Sequence, residues 1–416
     1  LLTKRTMRAL SVVAVLVVLG AACSKKTESG GGSTSGATKK AVSIAYMGAL
    51  TGDYAQLVIP GYQAAQLAAD EANQGKFGDL PVTIQVVGED TQGSPDQAPG
   101  VADKVVNDPS FVGVIGPTFS GESQAAGGKL DAAGLPFITP SATNPGLAEN
   151  GWTHWFRAVG NDNSQGPGAA QYIVQKLTPN CVVDASDDST YGEGLADIVD
   201  QTLKGAGIKV SSQKGAVHTG QKEFSALVTK IKSSGCTAIF YGGYSPEAAP
   251  LRTQLTQAGV KAVMVGGDGI KDDAFLQGAG ASGDQTVASC PCADITSTPA
   301  SASPTAASTS SGGPATDAQA FISDYTAKYG SPPGIYSAEG WDVMQMYIAA
   351  FKAGKTTPSA ITDFVRGLNG FAGLTKSYTF QPSGELDPSS VTIYFYQDVS
   401  AQWSYLGRSD QLLQGT

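Results

Sequence analysis

The sequence has 416 residues, 52 of them glycine, with 41% hydrophobic and 15% charged residues. A chain this long exceeds one ordinary core and suits two domains. Its net charge of −9, with no basic stripe to neutralise phosphates, argues against a nucleic-acid partner.

At the N-terminus Lys4, Arg5 and Arg8 precede an apolar run over residues 9–19, which ends in Gly20-Ala21-Ala22-Cys23. A basic stretch, a short apolar stretch and small residues before a cleavage point predict a secretory signal peptide over residues 1–23. The apolar run is too short for a comfortable membrane span. Small residues directly before Cys23 and a polar stretch after it resemble a bacterial lipoprotein signal. That resemblance implies lipidation of Cys23 and anchoring to the outer face of the cell membrane. Leu19 lies four residues before Cys23, where that signal usually carries its aliphatic residue three before, and ordinary secretion with an incidental cysteine is the alternative. Residues 24–40 read as a Gly/Ser tether without apolar periodicity.

From Ala41 strand and helix signals alternate. Strands are expected at 42–47, 82–87, 112–115 and 136–139, with helices at 61–73, 98–107 and from about 123. Strands separated by helices of this length imply a parallel sheet with right-handed crossovers. The pattern then restarts, with strands at 181–184, 209–217, 238–241 and 262–265 and helices at 194–204, 224–233 and 248–257. Beyond residue 285 come a strand at 286–289, helices at 319–329 and 339–353, and strands near Tyr378 and at 392–396. Two series of similar period predict two lobes of like α/β fold. Residues 296–316 are a Ser/Thr/Ala/Pro tract that cannot bury enough apolar surface to order itself, and they read as an exposed insertion.

Ligands of parallel sheets sit at the carboxyl ends of the strands, and here those ends carry small hydroxyls. One strand runs into Gly116-Pro117-Thr118-Phe119-Ser120-Gly121, the next into Pro140-Ser141-Ala142-Thr143-Asn144-Pro145. Short hydroxyls beside free backbone N–H groups at helix starts make a seat for a carboxylate or other anion. Helix capping by Ser120 and an ordinary turn at 141–143 explain the same residues equally well. In the second series the strand ends deliver Asp187, Asp188, Tyr191, Tyr244 and Asp268. Asp268 lies in Gly266-Gly267-Asp268-Gly269, where a carboxylate can face a cleft, although a glycine-flanked aspartate is more often a turn residue. A cleft acid opposite a hydroxyl-lined seat would suit an α-amino acid zwitterion.

Pro140-Ser141-Ala142-Thr143-Asn144-Pro145, Ser164-Gln165-Gly166-Pro167, Tyr191-Gly192-Glu193-Gly194, Lys222-Glu223-Phe224-Ser225-Ala226-Leu227 and Phe240-Tyr241-Gly242-Gly243-Tyr244 resemble, in order, the leucine/isoleucine/valine-type binding proteins of ABC importers. The resemblance spans Ala41 to about Asp398. It implies the type I periplasmic-binding-protein fold, in which two doubly wound parallel-sheet lobes are joined by a three-stranded hinge. Lobe one would comprise residues 41–161 and 288–375, lobe two residues 162–287 and 376–416, with crossings near 160–163, 285–287 and 374–377. It further implies that Ser120, Ser141 and Thr143, with Ala142 in the same turn, bind the ligand's α-carboxylate and help hold its ammonium. Tyr191 and Tyr244 would close over the ligand from the second lobe, and Asp268 would pair with the ammonium. Many members have a glutamate at the Asp268 position, so the shorter side chain shifts that contact. Leu57 and Ile335-Tyr336 would wall the ligand's side chain. The implied protein is a monomeric receptor that closes over its guest and delivers it to a permease.

Ala349 to Thr356 only faintly resembles a phosphate loop: it ends a helix and lacks the first glycine. Gly192-x-Gly194 lacks the third glycine of a dinucleotide fingerprint. His154 and His218 are the only histidines, which gives no zinc motif. No metal, cofactor or catalytic residue is expected. In an exported chain Cys181, Cys236, Cys290 and Cys292 favour oxidation. Cys181 and Cys236 start neighbouring strands and suit a bridge, leaving Cys290 and Cys292 to pair locally across one residue; three connectivities stay open. Two alternatives stand beside the amino-acid receptor. One is a receptor for an amide, urea or aromatic acid on the same fold. The other is an enzyme on a two-lobed scaffold, for which no nucleophile elbow, metal cluster or histidine triad is found.

Overall fold

The computed structural model describes residues 39–298 and 318–414. The signal peptide, Cys23, the tether up to residue 38 and the insertion from residue 299 onward lie outside the described residues. The first strand, β1, begins at Lys40, which pairs with Val82, so the tether expectation runs one residue into the fold.

The first lobe is built from β1 (Lys40–Gly48), α1 (Ala55–Asn73), β2 (Val82–Asp90), α2 (Ala98–Asn107), β3 (Phe111–Ile115), α3 (Ser120–Ala132), β4 (Phe137–Thr139) and β5 (Trp155–Arg157). Its sheet has the order β2-β1-β3-β4-β5 and every pairing is parallel. Strand β1 is buried from Val42 onward. Continuous burial without in–out alternation, broken in character only by Ser43, marks a strand covered by helices on both faces.

The second lobe contains α4 (Asp162–Tyr172), β6 (Val182–Asp187), α5 (Thr190–Gly205), β7 (Val210–Val217), α6 (Ser225–Ser234), β8 (Ala238–Gly242), α7 (Ser245–Gln257), β9 (Val263–Gly266), α8 (Asp273–Ala279) and β10 (Val287–Cys290). The chain then returns to the first lobe with α9 (Ala318–Tyr329), α10 (Ser337–Lys352), α11 (Pro358–Arg366), β11 (Phe371–Ala372) and β12 (Ser377–Tyr378), and ends on β13 (Tyr394–Asp398), β14 (Trp403–Arg408) and α12 (Ser409–Leu412). The second sheet has the order β14-β13-β10-β9-β8-β6-β7. It is parallel from β7 to β10 and antiparallel at β13 and β14, so this lobe is a mixed sheet where a parallel one was expected.

Helix α10 is buried along almost its whole length and packs on α1. The two backbones approach so closely that a Cβ on Gly340 would stand 2.3 Å from the Gly61 carbonyl oxygen. Each large aliphatic or aromatic side chain fully buried in such a layer contributes about 1.5–3 kcal/mol.

The first crossing falls at residues 158–161, between β5 and α4. The second lies after Cys290, because β10 still pairs with β9 and β13, later than the 285–287 expectation. The third is also later. Phe380 packs on Phe156 with centroids 5.2 Å apart, and the Arg157 amide donates to the Gly384 carbonyl. Residues 376–386 therefore belong with the first lobe, and the chain crosses at 387–393. The three crossings meet at Gly160, where an added Cβ would lie 2.6 Å from Val391 and 3.1 Å from Pro291. Only glycine fits between those segments. Disulfides join Cys181 to Cys236 and Cys290 to Cys292. The first ties the starts of adjacent strands β6 and β8, and the second encloses Pro291 at the hinge. Of the described residues expected in the exposed insertion, Thr296 is exposed and bonds to Asp294, whereas Thr298 is buried and bonds to the Tyr396 hydroxyl.

Candidate functional site

In each sheet the strand order reverses once, between β1 and β3 in the first and between β6 and β8 in the second. A crevice opens at such a reversal, outside the carboxyl ends of the strands. Chain order therefore delivers Tyr54 and Leu57 after β1, Phe119 and Ser120 after β3, residues 141–143 after β4, Tyr191 after β6, Tyr244 after β8 and Asp268 after β9.

On the first-lobe side the hydroxyl loops are braced from within. The Ser141 hydroxyl donates to the Thr118 carbonyl at 2.7 Å, and the Ser120 hydroxyl accepts the Asn144 amide at 3.2 Å. The Ala142 amide donates to the Thr139 hydroxyl at 3.0 Å. Arg157, fully buried on β5, donates to the carbonyls of Ala142 and Asn144, both at 2.9 Å, and pairs with Glu385. Its planar fork holds the turn at 141–144 in a way a lysine could not. Glu122 accepts the Phe119 amide at the start of α3 and the Thr91 hydroxyl; burial pushes its carboxyl up to about 8.

On the second-lobe side Asp268 is buried and accepts hydrogen bonds on both oxygens. Tyr191 donates to one at 2.9 Å, and Tyr336, which comes from the first lobe, donates to the other. The Tyr191 hydroxyl also accepts the Gly269 amide at 3.1 Å. Burial raises the Asp268 carboxyl above its ordinary value, against the opposing hydrogen bonds of Tyr336, Gln165 and Tyr191. Tyr336 reaches it from a left-handed backbone, φ +58°, a conformation that costs a non-glycine residue on the order of 1–3 kcal/mol. Tyr244 lies against Tyr191 with ring centroids 5.1 Å apart. Leu57 is buried on the first turn of α1, one turn before Gly61, whose absent Cβ faces the Tyr336 carbonyl.

Asp187 and Asp188 have other bonding partners, although the Asp187 charge acts on Tyr244 and Tyr54 and Asp188 lines the cavity beside them. Asp187 is engaged by the amide and hydroxyl of Ser189, and burial raises it to about 7. Asp188 bonds to His218 and Thr219 on the exposed rim.

Asp162, the first residue of α4, carries a site role that the sequence did not reveal. It is completely buried, and neither carboxylate oxygen has a hydrogen-bond partner among the described residues. Burial raises it to about 8, and the charge of Asp268 adds to the rise. The Thr143 hydroxyl lies near enough to favour the charged form but is not aligned to bond, and it too is buried without a partner among the described residues. The Asp162 amide donates to the Thr143 carbonyl at 3.0 Å. In sequence Asn161-Asp162-Asn163 reads as a helix start, and nothing local distinguishes an acid aimed at a cleft from one facing solvent. The Arg157 charge eases Asp162 from a distance, but its guanidinium is bonded to Glu385 and to the Ala142 and Asn144 carbonyls. Two carboxylates and a hydroxyl with no ammonium bonded to them favour a guest that brings one.

Tyr54 and Phe119 are the other residues missed. With Tyr244 they form a three-ring cluster, centroids 5.2–5.9 Å apart. These rings line one side of a cavity of about 330 Å³ that also touches Gly121, Asp188 and Thr190. Direct contacts close the cleft around it: the Asn144 side-chain amide donates to the Thr190 carbonyl at 2.8 Å, Tyr54 to Glu247 at 3.3 Å, and Lys222 pairs with Asp53 at 3.4 Å.

Residues 41–397 match a family model described as periplasmic binding protein. The leucine-, isoleucine-, valine-, threonine-, and alanine-binding protein of Pseudomonas aeruginosa is 30% identical over 354 residues, 85% of this chain and 89% of that protein. The Leu/Ile/Val-binding protein BraC3 of Rhizobium johnstonii is 33% identical over 358 residues, 86% of this chain and 92% of that protein. Among solved structures, the branched-chain amino acid transporter substrate binding protein LivJ from Streptococcus pneumoniae, in complex with isoleucine, superimposes with a TM-score of 0.77. It is 26% identical, and the match covers 88% of this chain and 99% of that one.

Proposed function

The chain belongs to the periplasmic binding protein family, and from that premise we propose that it is an extracytoplasmic receptor that closes over a small α-amino acid, branched-chain or related, and delivers it to the permease of an ABC importer. The observation that carries this reading is the bonded trio of Tyr191, Asp268 and Tyr336, which joins the two lobes through one buried acid. Opposite it lies the turn at 141–144.

In the proposed complex the α-carboxylate accepts from the Ser120 and Thr143 hydroxyls and from backbone amides at the start of α3. The ammonium lies between Asp268, Asp162 and Thr143. Leaving a buried polar group unpaired costs on the order of 1–3 kcal/mol, so a guest that pairs with Thr143 and Asp162 favours the closed form. Ser141 and Ala142 shape the turn, Tyr191 and Tyr244 cover the guest, and Leu57 with Tyr336 bounds its side chain. Closure is then driven by contacts that exist only when the lobes meet. The role includes no chemical step.

In the cell the receptor is proposed to be exported and held by a lipid on Cys23. Among the described residues no helix is long and apolar enough to cross a membrane. Cys23→Ser should move the chain from the membrane to the soluble fraction, which fractionation and blotting would detect.

A thermal-shift panel tests the ligand class. Alanine, threonine, valine, leucine and isoleucine should include compounds that raise Tm; at a thousand times Kd the expected stabilisation is about 4 kcal/mol. Their amides, and the matching acids without an ammonium, should not raise Tm. A shift produced only by compounds that are not zwitterions would sink the amino-acid reading.

A further inference from the structure

Among the described residues five α-helices start on an aromatic residue; Phe224 of α6 and Tyr336 of α10 lie outside the ring cluster, and the other three bring their rings together at the cleft. The N-cap residues of α1, α3 and α7 are Tyr54, Phe119 and Tyr244. That position favours Ser, Thr, Asp or Asn, whose side chains accept a free backbone amide. An aromatic ring cannot accept that bond, so three helix starts forgo it at the same level of the molecule. What singles out these three is that the rings replacing the caps touch one another, which points to a shared tertiary task.

The rings meet across the cleft. Tyr54 and Phe119 come from the first lobe and Tyr244 from the second, in edge-on contact with centroid separations of 5.9, 5.2 and 5.5 Å. At such spacings aromatic pairs are in van der Waals contact, so no third ring can enter between them while the lobes are closed. On one side lies the cavity of about 330 Å³. On the other, Phe119 adjoins Ser120 in the chain, and Tyr244 lies on Tyr191, whose hydroxyl holds Asp268. The three rings thus stand between the outer cavity and the residues proposed to seat the amino acid.

We propose that Tyr54, Phe119 and Tyr244 are the specificity-determining partition of this receptor. They cap the length of the ligand's side chain and restrict the closed form to short aliphatic amino acids, excluding aromatic ones. The partition rests on the amino-acid seat described above. Phe119 links the partition to the seat, because its ring packs on both tyrosines and its backbone carries the neighbouring Ser120. Tyr54 has a second duty: its hydroxyl reaches Glu247 across the cleft at 3.3 Å.

Calorimetric titration of the full chain with L-alanine, L-valine, L-leucine and L-phenylalanine tests this. The wild type should prefer valine to phenylalanine by about a hundredfold, the scale on which a close-packed pocket rejects misfitting side chains. Phe119→Ala joins the seat to the outer cavity and should reduce that ratio at least tenfold, and Phe119→Leu, which keeps an apolar filling, should reduce it less. Tyr54→Phe retains the ring and loses the bond to Glu247, so it should weaken valine and phenylalanine by the same factor. Melting curves of each variant confirm folding, and Phe119→Leu serves if Phe119→Ala unfolds. The partition is overturned if the wild type binds phenylalanine within threefold of valine, or if both Phe119 variants weaken every ligand equally. If no amino acid binds to any form, the seat itself has failed and the partition falls with it, an outcome distinct from a loss of selectivity alone.

Discussion

On the first-lobe face of the cleft most hydroxyls are committed to their own loops. Ser141 donates to the Thr118 carbonyl, and Thr139 and Ser123 both donate to the Pro117 carbonyl. Across the cleft Asp268 is held instead by side chains from both lobes, and Asp162 is held by none among the described residues. One face is thus a seat preformed by the backbone, and the other is a charge whose surroundings are completed only on closure. The difference teaches that affinity should depend chiefly on the second face and fold stability on the first.

Asp268→Asn is the strongest way to break this contrast. Truncating one partner of a buried charge pair costs about 2–5 kcal/mol, so amino-acid affinity should fall about thirtyfold or more in a calorimetric titration. The empty protein should lose only about 1 kcal/mol, because the amide keeps one acceptor for the two tyrosine hydroxyls and removes a carboxylate that burial already disfavours in its charged form. An affinity within threefold of wild type would remove Asp268 from the ammonium's site.

Asp162 should matter less for affinity and more for pH. Its carboxyl is raised to about 8 in the fold, against about 3.9 in an unfolded chain. Between those values the folded state binds the extra proton, so this contribution to stability is full below about pH 4 and is lost as pH rises through 8. Melting curves of the empty protein should therefore show Tm falling from pH 5 to pH 8, with Asp162→Asn removing part of the fall. Ligand affinity should move the opposite way, weakening on acidification as the carboxylates become protonated. The Asn variant should cost roughly tenfold in affinity. A Tm slope unchanged by the substitution would show that Asp162 does not titrate in this range.

The smallest effects sharpen the contrast within the first face. Thr143→Val removes a buried hydroxyl that has no internal partner among the described residues, so it should lower affinity several-fold with little change in Tm. Ser141→Ala removes a hydroxyl already bonded to the Thr118 carbonyl. It should lower stability by about 1 kcal/mol and leave affinity within threefold. Equal affinity losses for the two would erase the distinction between guest-facing and loop-bracing hydroxyls.

Much of this molecule was legible in the chain itself. Continuous apolar runs such as 238–241 and 262–265, spaced by amphipathic stretches, determine buried parallel strands with crossover helices, because side-chain period is a local property of sequence. The same alternation places Ser120, residues 141–143, Tyr191, Tyr244 and Asp268 after strands, hence at one level of the fold. Tertiary structure alone decided the rest. The antiparallel β13–β14 edge, the crossings at Gly160, Pro291 and Val391, and the return of residues 376–386 to the first lobe depend on which distant surfaces meet. So does the character of each polar group. Asp162 and Asp187 are both aspartates next to helix starts, yet Ser189 engages one while the other is buried without a partner among the described residues. Phe119 and Tyr54 look like misplaced caps until the lobes close and their rings touch. Electrostatics and packing act through space, and a carboxylate's neighbours tens or hundreds of residues away are set only when the chain has folded.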